Sequence, residues 1–152
     1  MTWQDDYNRA RDLSIKQKWN EARVVLLGAS EQNPFRVEIM VLWGWVESQS
    51  GFSGEALKML RRAVDLAVGD FWARFYLGCA LLAAKRAKEA VDVFRQAVEI
   101  DPNSPDGRWY LARAIEMLHP ICDPARLTPK QHEMRKNYRL ARKLEGRDDD
   151  GD

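Results

Sequence analysis

The sequence predicts an all-α protein, a right-handed α-solenoid of antiparallel helix pairs, and three observations carry that reading. The chain repeats itself with a period of 34 residues. Each unit holds two stretches of helical apolar periodicity joined by a short polar turn. Small residues stand at fixed places in the repeat, where two helices must approach closely.

The columns are explicit. Ala10, Gly44, Gly78 and Ala112 form one small-residue column, Ala22, Ala56 and Ala90 a second, and Ala29, Ala63 and Ala97 a third. Leu26, Leu60 and Phe94 make a large apolar column, and Trp43, Leu77 and Leu111 another; the register holds from residue 4 to residue 118. Unit one, residues 3–36, is the most degenerate, with Asp6, Arg9 and Ala10 in its first helix, which suits an end of a stack. Unit two, residues 37–70, opens with VEIMVLWGWVE, apolar around almost the whole circumference of a helix, and keeps Gly51 at the turn. In unit three, residues 71–104, Leu77, Ala80, Leu81 and Ala84 recur at helical spacing, as do Ala90, Val93, Phe94, Ala97 and Val98 after a polar turn at 85–88. Asp101-Pro102-Asn103 stops that second helix, and Ser104-Pro105 restarts the next with a capping hydroxyl and a first-turn proline.

Unit four, residues 105–145, begins with GRWYLARAIEML and then departs. HPICDPARL, with Pro120 and Pro124, excludes a regular helix and predicts an exposed insertion near 119–128. Thr128-Pro129-Lys130-Gln131 reads as a capping box opening a helix to about Leu144, in which Met134, Tyr138 and Ala141 restore the columns ten residues late. The organisation is therefore one domain over 1–145, three repeats plus an interrupted fourth with a capping helix. An acidic tail, GRDDDGD at 146–152, is expected to be disordered.

Length 34, a Leu-Gly or Trp-Gly pair in the first helix, the Ala, Leu or Phe, Ala succession and the closing Asp-Pro-Asn resemble the tetratricopeptide repeat family. Unit three is the best match, although Lys85 and Ala87 replace the glycine and aromatic common at its turn. The resemblance implies that the first helices of successive units line a concave face that binds a peptide segment of another protein. Carried over by column, that face comprises Tyr7, Arg11, Val41, Trp45, Phe75, Cys79, Leu82, Trp109, Arg113 and Met117, with Ser14, Ser48, Glu116, Ile15, Gln49 and Ala83 in the remaining columns and Trp72, Glu38 and Asp106 nearer the rim. These positions do not reproduce the basic clamp with which some family members hold acidic C-terminal tails. An apolar or amphipathic segment suits them better, with Arg11 and Arg113 placed to meet carboxylates.

The expected function is thus a non-enzymatic adaptor for protein–protein interaction, without cofactor. A small cytoplasmic chaperone of a secretion system is the alternative, and self-association would cover the same aromatic surface. Among 152 residues, 45% apolar content suffices for one packed core, and 24 basic against 23 acidic side chains give a net charge of +1, no general attraction to nucleic acid or membrane. The opening MTWQDDYNRARDL has no leader pattern and no run of about 18 apolar residues occurs, which predicts a soluble cytoplasmic protein. The last helix carries Arg135, Lys136, Arg139, Arg142, Lys143 and Arg147 on one face, read first as the polar outer side of a terminal helix, with nucleic-acid or anionic-surface binding as the third alternative. His119, Cys122, Asp123 and His132 lack the paired spacing of a zinc site, and Cys79 has no histidine at helical spacing to make it a nucleophile.

Overall fold

A computed structural model describes residues 2–147. Among the described residues eight helices follow one another: α1 Trp3–Ile15, α2 Trp19–Gln32, α3 Val37–Gln49, α4 Ser53–Leu66, α5 Phe71–Ala83, α6 Ala87–Ile100, α7 Pro105–Leu118 and α8 Pro129–Leu144. Among the described residues they pair as α1·α2, α3·α4, α5·α6 and α7·α8, each pair stacks on the next, and the first helices also touch one another, which makes a helical solenoid. The helix starts keep the 34-residue register from α1 to α7, including α6, which begins at Ala87 inside the polar stretch 85–88, and α8 begins later than the register places it.

Within a pair the small-residue column is a steric requirement. A Cβ on Gly78 would stand 2.6 Å from two ring carbons of Phe94, and one on Gly44 would strike Leu60. Phe94, Leu60 and Leu26 are fully buried, so each large residue of α2, α4 and α6 occupies the space its small partner leaves. Ala10 takes the glycine's place opposite Leu26, and Ala112 takes it where the facing column holds Tyr138 of α8.

Between pairs, α3, α5 and α7 bury Ile39, Ala73 and Gly107; Leu77 and Leu111; Val46, Ala80 and Ala114. The same positions on α1 are Asp5, Arg9 and Asp12, all exposed, so the outer face of the first pair is polar. Asp5 also completes a capping box with Thr2, whose N–H donates to its carboxylate at 2.8 Å; that bond and the Thr2 hydroxyl hold the Asp5 carboxyl below its usual range. On the opposite side of the stack Arg61 of α4 pairs with Glu89 of α6 at 3.3 Å, and Arg95 of α6 with Glu133 of α8 at 3.1 Å. Arg61 and Arg95 are one repeat apart, and so are Glu89 and Glu133 once ten inserted residues are discounted. α8 therefore fills the second-helix slot of unit four. The first joint differs: Leu27 replaces the arginine, and Glu47, buried on α3, accepts from Arg23 Nε at 2.7 Å and Trp43 Nε1 at 2.8 Å through one oxygen.

The turn inside each pair needs one left-handed residue. Gln17, Gly51 and Lys85 hold it with φ of 56°, 88° and 62°, each 34 residues after the last. His119 is next in that column, but it precedes Pro120, whose ring drives the preceding residue toward extended backbone, and His119 has φ −133°. A tight turn is excluded there and the insertion follows. Gln131, buried in the first turn of α8, closes that loop by donating to the Pro120 carbonyl at 2.9 Å while its side-chain oxygen accepts from Thr128 N–H at 2.8 Å. Of the acidic stretch at 146–152, residues 148–152 lie outside the described residues.

Two substitutions test this packing. Gly78→Ala should destabilise the fold by about 1–3 kcal/mol, because the buried Phe94 ring cannot retreat. Gln17→Gly should stabilise it by about 0.5–1 kcal/mol, the relief of a left-handed side chain less the extra chain entropy of glycine. Urea denaturation of both variants measures the pair of effects.

Candidate functional site

The first helices of units two to four enclose a cavity of about 700 Å³, to which no second helix contributes. α3 supplies Trp45 and Gln49; α5 supplies Trp72, Phe75, Tyr76, Cys79, Leu82 and Ala83; α7 supplies Asp106, Tyr110, Arg113 and Met117; Lys85 comes from the turn after α5. On α7 these residues stand at i, i+4, i+7 and i+11, one stripe of the helix. Asp70 caps α5 by accepting from the N–H groups of Trp72 and Ala73 at 2.8 and 3.3 Å, which fixes the helix start that presents Trp72.

The aromatic rings touch in series. Trp19 of α2 meets Trp45 edge to face at 5.6 Å, Trp45 lies 6.1 Å from Tyr76, and Tyr76 lies 5.9 Å from Trp72. Phe75 packs edge to face on Tyr110 at 5.1 Å and on the core ring of Phe94 at 6.0 Å. Each edge-to-face contact of this kind contributes about 0.5–1.5 kcal/mol beyond the area it buries.

Six of the ten residues predicted for the partner face line this cavity, namely Trp45, Phe75, Cys79, Leu82, Arg113 and Met117, together with Gln49 and Ala83 of the remaining columns and Trp72 and Asp106 of the rim. Their exposure differs from the column reading in one important respect. Phe75 is only 6% exposed and Val41 is buried, whereas Trp72 is 48% exposed. Phe75 is a floor, covered from the next unit by Tyr110, and Trp72 is the accessible ring. Trp109 turns away to pack on Tyr138 of α8 at 4.7 Å, and Tyr138 donates to Glu116 at 2.7 Å. Tyr7 is half-buried in the first pair and Arg11 is exposed beside Asp12, both outside the cavity lining. Column reading missed Tyr76 and Tyr110, although they stand 34 residues apart and form an aromatic column of their own.

Burial sets the chemistry of the protic groups. Desolvation, reinforced by the Asp106 charge, pushes the Cys79 thiol up to about 12. Tyr76 and Tyr110 are raised for the same first reason, again with help from Asp106, whose carboxylate therefore bears on the cavity. Arg113 acts oppositely on Tyr110. A thiol so disfavoured as thiolate is an apolar lining atom rather than a nucleophile.

Elsewhere, Arg135, Lys136, Arg139, Arg142 and Lys143 are exposed on α8 and Arg147 just beyond it. Among the described residues no group of three or more His, Cys, Asp or Glu is placed to hold a metal ion, and no helix is long and apolar enough to cross a membrane.

Residues 41–105 match the model of the tetratricopeptide repeat family. A search of curated proteins gave no significant match. Among solved structures, TTC0263, a thermophilic TPR protein of Thermus thermophilus, superposes with a TM-score of 0.81 at 14% identity, over 95% of this chain and 75% of that one. MamA from MSR-1 gives 0.70 at 18% identity, over 97% and 79%. The O-GlcNAc transferase of Thermobaculum terrenum gives 0.77 at 20% identity over 90% of this chain, which spans 25% of the enzyme. At these identities the likeness is one of fold.

The two free thiols provide a check on the cavity. Iodoacetamide at neutral pH should alkylate exposed Cys122 in the folded protein and Cys79 only after unfolding. The Cys79 contribution to stability should fall as pH rises from about 9 toward 12, since the unfolded chain ionises this thiol first. Mass spectrometry after labelling, and denaturant midpoints across that alkaline window, measure both effects.

Proposed function

With tetratricopeptide repeats over residues 41–105 and a helical solenoid built on them as the premise, we propose that this chain is a non-catalytic adaptor that holds a segment of a partner protein in the cavity of α3, α5 and α7. The repeat family is in general a protein-interaction scaffold. One observation carries the finer reading: a cavity of about 700 Å³ walled by aromatic rings of the first helices, with Trp72 half-exposed at its edge. That volume lies within the range of ligand pockets, about 300–1,000 Å³. Large exposed aromatic residues in a concavity are characteristic anchors of protein interfaces.

Function divides between the two helix layers under this reading. Trp45, Trp72, Tyr76 and Tyr110 contact the partner, while Phe94 and Leu60 hold the pairs together. Arg113 and Met117 extend the contact to the last complete first helix. The basic face of α8 serves solubility.

Capture experiments with the full chain as bait test the assignment. Trp72→Gln should leave the melting temperature nearly unchanged and weaken partner capture about 30-fold, the loss of an anchor worth about 2 kcal/mol. Phe94→Ala should instead cost about 3–5 kcal/mol of stability. Undiminished capture by Trp72→Gln would remove the cavity from the reading.

A further inference from the structure

The charges around the cavity narrow what it accepts. Asp106 stands in the first turn of α7 at the same end as Trp72, and the first turns of α5 and α7 touch, since a Cβ on Gly107 would lie 3.1 Å from the Phe71 ring. Arg113 lies seven residues further along α7, about 10 Å by helical rise, with Lys85 at the corresponding end of α5. Among the described residues none of these three forms an ion pair, whereas Arg61, Glu89, Arg95 and Glu133 on the opposite layer are all paired.

Opposite charges left unneutralised at the two ends of an aromatic-walled cavity select the occupant. A segment covering them without complementary groups desolvates both at a cost, and one carrying a single sign of charge repels one end. A uniformly acidic tail would satisfy Arg113 and Lys85 and bring like charge onto Asp106. The Trp72 ring at the same end as Asp106 suits a cation further, because an ammonium or guanidinium gains from an aromatic face as well as from the carboxylate.

Resting on the reading of this cavity as the partner site, we propose that its occupant is an extended segment of a protein with a basic side chain, a bulky apolar residue and an acidic side chain in succession. The basic group meets Asp106 and Trp72, the apolar residue lies over the floor of Phe75 and Tyr110, and the acidic group meets Arg113 and Lys85. In extended chain, at about 3.3 Å per residue, the two charged positions are about three residues apart.

The test is selection of a random dodecapeptide phage library on the full chain, with every enriched clone re-assayed on Trp72→Gln. Clones that lose binding to that variant should share a basic and an acidic residue about three positions apart around a bulky apolar one. For a labelled peptide of such a clone, Asp106→Asn should weaken binding roughly tenfold, as should Arg113→Gln, the equivalent of about 1.4 kcal/mol each. Neither change should matter once the matching peptide charge is replaced by glutamine. Cavity-dependent clones with no charge pattern, or with one sign only, would overturn this specificity and leave the adaptor reading standing. If no clone is enriched, or all bind Trp72→Gln equally well, both fall.

Discussion

The fold depends on one close approach, repeated in each complete helix pair: a side chain too small to hold two helices apart, facing one large enough to fill the gap. Gly44 faces Leu60 and Gly78 faces Phe94, and no methyl group fits between them. Because the large member is fully buried, the distance and rotation between paired helices are set by packing rather than by the turn that joins them. The turn only has to connect. This explains how glutamine, glycine and lysine can share its left-handed position, and how ten further residues can be accommodated in unit four without displacing α8 from its slot.

The repeat made the architecture legible. Period, small-residue columns and the capping signals at Ser104 and Thr128 are local, and the helices begin where those signals place them. The capping box of Thr2 and Asp5 was equally local and is seen once the pattern is read one residue before the first helix. What a column cannot specify is how deeply the following unit covers it. Phe75 and Trp72 both belong to first-helix columns, yet Tyr110 and Phe94 enclose the former and leave the latter open. Trp109 shows the same limit, since its surroundings depend on α8, an element that returns only after the insertion. Tyr76 and Tyr110 belong to this chain's own period rather than to the columns carried over from the family, so the resemblance did not single them out.

Unit four shows how a repeat can be interrupted without being lost. The proline after His119 closes off the backbone conformation that the column demands, and the chain leaves the repeat at that residue. Gln131 brings it back by bonding to the beginning of the excursion, so both ends of the loop are tied to one buried amide. Arg95 then meets Glu133 as Arg61 meets Glu89 one unit earlier, and the ladder across the outer layer continues as though nothing had been inserted.

That ladder stops at the first joint, where Leu27 stands in the arginine column and buried Glu47, held by Arg23 and Trp43, ties α2 to α3 instead. Surface pairs are weakened by dissolved ions and buried ones much less so. Rising ionic strength therefore weakens the pairs at the two joints nearer α8 more than the pair at the joint nearer α1. Since the cavity spans units two to four, both joints behind its wall carry the salt-sensitive pairs, and the buried pair lies at the joint outside it.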